Sequence, residues 1–74
     1  MSYFIIVSDV DGKTRIEGFY LDCEVFTAVE DLELIAKERL SQDCYTLEDG
    51  TIGFYSDNGN RVYIEERDPA EIRL

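Results

Sequence analysis

The sequence predicts an α+β domain: a mostly antiparallel sheet with one main helix packed on one face, in the order ββαβββ. Three observations carry this. Turn dipeptides recur at Asp11-Gly12, Asp49-Gly50 and Asn58-Gly59, and Asp-Gly or Asn-Gly between apolar runs is the strongest short hairpin signal. Only Thr27–Leu40 has sustained helical periodicity. The length of 74 residues fits a single domain, 1–74, with one small core.

The first two strands flank Asp11-Gly12. Tyr3–Val10 (YFIIVSDV) and Lys13–Leu21 (KTRIEGFYL) pair across that turn. A type I′ turn sets Val10 opposite Lys13 and fixes the register. An unbroken register puts Tyr3, Ile5, Val7, Ile16, Gly18 and Tyr20 on one face. Phe4, Ile6, Ser8, Arg15, Glu17 and Phe19 then share the other. The first set is the more apolar and is expected to meet the helix.

Thr27 and Glu30 have the spacing of a capping box, with Thr at N-cap and Glu at N3. At 100° per residue, Val29, Leu32, Ile35, Ala36 and Leu40 share one arc, the expected core stripe. Glu33 and Lys37 are spaced for a favourable i,i+4 pair. Leu34 points about 140° from Val29 and is expected to be exposed. Beyond the helix, Cys44–Glu48, Thr51–Ser56 and Asn60–Glu66 read as a three-strand meander with two-residue turns. Asp68-Pro69-Ala70-Glu71 repeats helix-start chemistry and predicts a short C-terminal helical turn. If Val62 and Ile64 point inward, the far face carries Tyr45, Leu47, Ile52, Phe54 and Tyr63. Such an apolar stripe is closed by curling of the sheet, by the C-terminal turn, or by a partner or second copy.

Composition narrows the function. Seventeen acidic residues stand against seven basic ones with no His, for a net charge of -10. Small domains commonly carry a net charge of roughly 2–8 in magnitude. Direct binding to a nucleic-acid backbone needs a basic face, so that class is set aside. Hydrophobic content of 45% separates the chain from a disordered acidic tail. The N-terminus lacks a basic segment followed by a long apolar run, and no stretch reaches 18 apolar residues. A cytoplasmic protein with no membrane association is expected. Cys23 and Cys44 are expected to be thiols buried as small hydrophobes in a reducing compartment.

Catalytic and metal chemistry find little support. Phe4–Thr14 (FIIVSDVDGKT) resembles the first motif of haloacid-dehalogenase-type phosphatases, an apolar strand followed by Asp-x-Asp-Gly. That resemblance implies Asp9 as nucleophile and Asp11 as acid/base, with Mg²⁺ between carboxylates. The family also needs a parallel sheet and further Lys and Asp motifs, which this chain does not supply, and a hairpin accounts for Asp11-Gly12. A calcium loop fails on spacing, because Gly12 comes too early and Glu24 lies too far along. Without His, neither Ser-His nor Cys-His catalysis can assemble. No cofactor, no metal site and no enzymatic activity are expected.

The acids themselves are the strongest signal. Asp22, Glu24, Glu30, Asp31, Glu33 and Glu38 lie on and around the helix, and Asp43, Glu48 and Asp49 follow. Carboxylates about 5–6 Å apart along a helix suit negative ridges that imitate a nucleic-acid backbone. Leu34, between Glu30 and Glu38, is placed to anchor an interface with an electrostatic rim. In size, acidity and plan the chain resembles the small phage-encoded anti-CRISPR and DNA-mimic inhibitors. The resemblance rests on this acidic series over a compact ββαβββ scaffold, without a signature motif. It implies a non-catalytic inhibitor in the host cytosol, monomer or homodimer, that occupies the nucleic-acid site of a CRISPR effector subunit or similar basic protein. The alternative is an interaction module, antitoxin-like, immunity-like or an adaptor, that binds through Tyr45, Phe54 and Tyr63.

Overall fold

The computed structural model describes residues 2–40 and 44–68. It has an antiparallel sheet of five strands and one main helix, the α+β arrangement expected from the sequence. The strands are β1 (Tyr3–Val10), β2 (Lys13–Leu21), β3 (Cys44–Thr46), β4 (Gly53–Ser56) and β5 (Arg61–Arg67). Their order across the sheet is β2-β1-β5-β4-β3. A one-turn 3₁₀ helix (Asp22–Glu24) leads into α1 (Val25–Leu40). The expected C-terminal turn at Asp68–Glu71 lies outside the described residues beyond Asp68.

The Asp11-Gly12 turn forms as expected. Asp11 and Gly12 have φ of 54° and 77°, and Val10 pairs with Lys13. Positive φ at both central positions is the type I′ conformation, whose twist matches that of the flanking strands.

The rest of this hairpin differs from the expected register, and one residue causes it. Val7 pairs with Ile16, but Ile6 pairs with Gly18. Glu17 is therefore the extra residue of a β-bulge. Because side chains alternate with period two, one inserted residue exchanges the faces of everything beyond it on β2. Tyr20 now faces the same side as Phe4 and Ile6, and Phe19 the side of Tyr3. Tyr3, Ile5, Val7 and Ile16, expected to meet the helix, lie on the opposite face, whereas Gly18 and Tyr20 are on the helix side as expected. Ile6, Val62 and Ile64 pack against Ala28, Leu32, Ala36 and Leu40 of α1. Tyr3, Ile5 and Val7 form a second cluster on the opposite face with Tyr63.

The helix also starts earlier than Thr27. Glu24 Oε1 accepts the backbone N–H of Leu21 at 2.9 Å, so the capping interaction sits in the 3₁₀ turn. Thr27 and Glu30 are interior helical positions. The buried row is Ala28, Leu32, Ala36 and Leu40, a strict i,i+4 series. Ala28 joins the expected stripe, while Val29 and Ile35 flank it partly buried.

The later turns are longer than two residues. β3 and β4 are joined by Leu47–Ile52, closed by Leu47 N–H donating to the Gly53 carbonyl at 3.0 Å. Asp57, Asn58 and Gly59 join β4 to β5, with Ser56 and Asn60 backbone-bonded at 2.8 Å and Gly59 at φ 89°. A turn closed by a left-handed glycine is the common three-residue hairpin loop. Phe54 consequently packs on the helix side, and Tyr55 replaces it outside. Gly53 lies across from Tyr63, where a Cβ would come within 2.5 Å of the Tyr63 Cβ.

Candidate partner-binding surfaces

The bulge builds the first polar feature of the helix-side face. Ser8 is 2% exposed, and its Oγ donates to Glu17 Oε1 at 2.9 Å. Glu17 also receives Arg39 from the last turn of α1, with Nε to Oε1 at 3.2 Å. An unsatisfied buried hydroxyl is costly, so the extra residue supplies a partner the regular register lacks. Lys13 and Arg15 line an open groove of about 210 Å³ beside this pair. Cations thus gather where β2 begins and α1 ends.

Acids gather at the other end. Antiparallel pairing places the end of β2, the start of β1, the end of β5 and the β3–β4 connection at one edge of the molecule. Asp22 and Glu24 enter the helix there, and exposed Glu48 and Asp49 sit in the connection. Asp22 and Glu24 follow β2 at one edge strand of the sheet, and Glu48 and Asp49 follow β3 at the other. A groove of about 410 Å³ has Phe4, Ile52 and Ile64 among its lining, with Glu65 and Glu66 at its side. Asp43 lies outside the described residues.

Asp31 has a structural role. It is partly buried, and its Oδ2 accepts the Tyr20 hydroxyl at 2.7 Å. Burial, followed by this bond and the charges of Asp31 and Glu24, pushes the Tyr20 phenol up to about 12. Asp49 is also engaged locally: its Oδ1 accepts the Thr51 N–H at 2.9 Å. That bond holds its carboxyl below the usual carboxylate value.

Glu30, Glu33, Leu34 and Glu38 lie exposed on α1, as expected, with Leu34 at 65%. The earlier helix start adds a residue the sequence reading missed. Phe26 is 83% exposed and lies one turn before Glu30. Phe26, Glu30, Leu34 and Glu38 therefore form an outer i,i+4 row about 160° round from the buried one. Its available signal was the eight-residue spacing from Phe26 to Leu34, hidden by starting the helix at Thr27. That spacing separates the two apolar groups by about 12 Å.

Ion pairing sets this row apart. The ion pairs among the described residues are Arg39–Glu17, Arg61–Asp9 and Arg67–Glu65. None uses Asp22, Glu30, Glu33, Glu38 or Glu48. The expected Glu33–Lys37 pair is not formed. Asp9 and Asp11 do not converge on a common site either. Asp9 meets Arg61, while the Asp11 N–H donates to Asn60 Oδ1 at 2.9 Å and ties two hairpin tips together. Among the described residues, no three Cys, Asp or Glu side chains group closely enough to hold a metal. No described helix is long and apolar enough to cross a membrane.

The sheet face away from α1 is a second surface. Tyr45, Tyr55 and Tyr63 point this way, with Tyr45 and Tyr55 ring centroids 5.5 Å apart. Phe54 does not, which corrects the expected aromatic set. Ile52 borders the groove with Phe4 and Ile64 instead. Phe19 stacks on Tyr3 at 4.7 Å. Of the thiols, Cys44 packs against the core as expected, but Cys23 is exposed in the 3₁₀ turn; both are free. The chain matches no family model, and comparison with curated proteins and with solved structures finds no significant match.

Proposed function

We propose that this is a non-catalytic binding protein whose acidic helix surface occupies the nucleic-acid site of a basic partner, an anti-CRISPR-like inhibitor of a CRISPR effector or a comparable DNA-binding protein in the cytoplasm. The observation that carries the reading is the lack of cationic partners for the helix-side acids. Glu30, Glu33 and Glu38 stand exposed on one rigid element with no ion pair among the described residues. Interspersed with them are two exposed apolar side chains, Phe26 and Leu34. Carboxylates held this way replace phosphates in a basic groove and steer association over long range. The apolar pair supplies contact area that charge alone does not, in the manner of anchors inside a polar rim. Asp22, Glu24, Glu48 and Asp49 extend the negative field to the adjoining end of the molecule.

Competition tests this reading. Purified CRISPR effector complexes and basic DNA-binding control proteins are titrated with the protein in the presence and absence of duplex DNA. Mutually exclusive binding with DNA is expected for the true partner. Simultaneous binding of protein and DNA with unchanged affinities would remove the mimicry reading.

A further inference from the structure

Of the three turn dipeptides, Asn58-Gly59 is the one whose first residue carries an amide rather than a carboxylate. The amide carbon is an electrophile with ammonia as its leaving group, whereas an ionised carboxylate resists attack. Asn58 and Gly59 are both exposed at the tip between β4 and β5. Glycine puts no Cβ beside its nitrogen, and nothing lies within 4 Å of where a Cβ would stand on Gly59, so that side of the residue is open. The Asn58 side chain is folded back along the backbone that follows it. Its Oδ1 accepts the Asn60 N–H at 3.2 Å, the pattern by which Asn bonds its own chain two residues on. The Ser56 hydroxyl donates to the same oxygen.

We propose that Asn58 is a site of spontaneous deamidation, held in check by one backbone hydrogen bond. The Gly59 nitrogen gives up its proton to solvent and attacks Asn58 Cγ. A Gly59 N–Cγ bond forms, the Cγ–Nδ2 bond breaks, and Nδ2 takes a proton from water and leaves as ammonia. The product is a five-membered cyclic imide. Water then opens the imide at either carbonyl. Cleavage at Cγ gives an aspartate; cleavage at the main-chain carbonyl gives an isoaspartate, whose backbone runs through Cγ. The check is the Gly59 N–H, which donates to the Ser56 carbonyl at 3.0 Å. While that bond stands, the nucleophile keeps its proton and stays within a planar peptide. The turn must open first, and exposed loop tips are the part of a fold that opens most readily.

Conversion changes more than one side chain. Isoaspartate carries an extra backbone methylene, so the three-residue loop with its left-handed glycine no longer closes in the same way. That loop also positions Asn60, whose Oδ1 accepts the Asp11 N–H at 2.9 Å and whose Nδ2 donates to Asp11 Oδ1 at 3.3 Å. Deamidation therefore adds a negative charge to this tip and loosens its tie to the β1–β2 turn. The modification does not rest on the proposed inhibitory function.

Peptide mass spectrometry of the full chain, incubated at mildly alkaline pH both folded and in urea, tests the proposal. The mass gain of an amide-to-acid exchange is expected at Asn58, with isoaspartate among the products. It should run at least tenfold faster than at Asn60, the other asparagine of the chain, which Arg61 follows. Urea should speed the reaction at Asn58 at least threefold by removing the check. Asp57→Pro presets the first central position of the turn and should slow the folded reaction at least threefold, whereas Asp57→Gly should speed it by a similar factor. Both variants keep the Asn58-Gly59 pair, so in urea they should stay within twofold of the wild type. Circular dichroism verifies folding. Hydrogen exchange of the wild-type Gly59 amide measures the opening directly and covers the case of a variant that fails to fold; protection is expected. In the converted chain the Asp11 amide shift should move. Conversion at Asn58 no faster than at Asn60 overturns the proposal, as does a Gly59 amide without protection or a folded chain that reacts as fast as the chain in urea.

Discussion

The Tyr20 hydroxyl donates to Asp31 Oδ2 at 2.7 Å, and this bond joins an edge strand to the helix. It exists because of the bulge at Glu17, which turns Tyr20 onto the helix side. Gly18 makes room for it: a Cβ there would come within 2.6 Å of the Tyr20 hydroxyl. Register, glycine and hydrogen bond are therefore one unit. Asp31, which the sequence places among the acids offered to a partner, belongs to that unit.

The first prediction concerns that phenol. Tyr20 should titrate late, near 12, and Tyr20→Phe should remove that phase from the phenolate absorbance. Gly18→Ala should lower it by displacing the ring from Asp31. The sign for stability follows from linkage. A pKa raised in the folded state means the native chain holds its proton while the unfolded chain loses it. Stability from this group is complete below pH 10 and falls as the pH rises from 10 to about 12. Tyr20→Phe should flatten that decline in an alkaline denaturation series.

The bulge itself is testable. Glu17→Ala removes the acceptor for the buried Ser8 hydroxyl and frees Arg39. Leaving a buried hydroxyl unsatisfied costs about 1–3 kcal/mol. Urea unfolding should show a loss in that range. Ser8→Ala combined with Glu17→Ala should recover part of it, because no hydroxyl is then left unpaired.

Gly53 should tolerate no side chain. A Cβ at this position meets the Tyr63 Cα and the Val62 carbonyl at 2.7 Å, and neither is the end of a flexible group. Gly53→Ala should destabilise the fold by roughly 1–3 kcal/mol, the usual cost of overpacking. Its chemical-shift changes should centre on the β4–β5 pair.

At Asp49 the carboxyl is held down chiefly by the Thr51 N–H, so its proton uptake should lie below 3.8 in the folded chain. Stability from this contact is present above that value and is lost as the pH falls through the folded pKa. A carboxyl-detected NMR titration gives the midpoint directly. The Thr51 amide shift should follow the same curve.

The comparison of sequence and fold turns on one inserted residue. The turn at Asp11-Gly12 and the inward positions of Val62 and Ile64 follow from local chemistry and alternation, and they are legible. The bulge is not. Glu17 breaks no local rule, and what stabilises it is a tertiary partnership with Ser8 and Arg39. An unbroken register sets Tyr20 beside Tyr3 and Ile5 instead of Phe4 and Ile6, yet Tyr20 does face the helix as expected, because the face of β1 that meets α1 is also the other one, carrying Phe4 and Ile6. The helix start is similar. Thr27 and Glu30 have the right spacing for a capping box, but Glu24 acts one turn earlier by accepting the Leu21 N–H. That shift hid Phe26 from the outer row. The exposed placement of Glu30, Glu33, Leu34 and Glu38 was legible, because the outer side of a helix follows from its inner stripe. The long Leu47–Ile52 connection was not, since Asp49-Gly50 looks like a tight turn until the short strands around it are paired.

The most direct test of the central claim is the salt dependence of binding to a duplex-competed effector, for the wild type and for Glu30→Lys, Glu33→Lys, Glu38→Lys combined. Asp31 is left intact so that Tyr20 keeps its partner. The wild-type affinity should fall linearly in a log–log plot against salt, with a slope of several counterions. The triple variant should remain folded, with its late tyrosine phase intact, and lose binding by about a hundredfold or more at low salt. A flat wild-type slope, or a folded triple variant that binds as tightly as the wild type, would contradict the assignment of the acidic helix face as the binding surface.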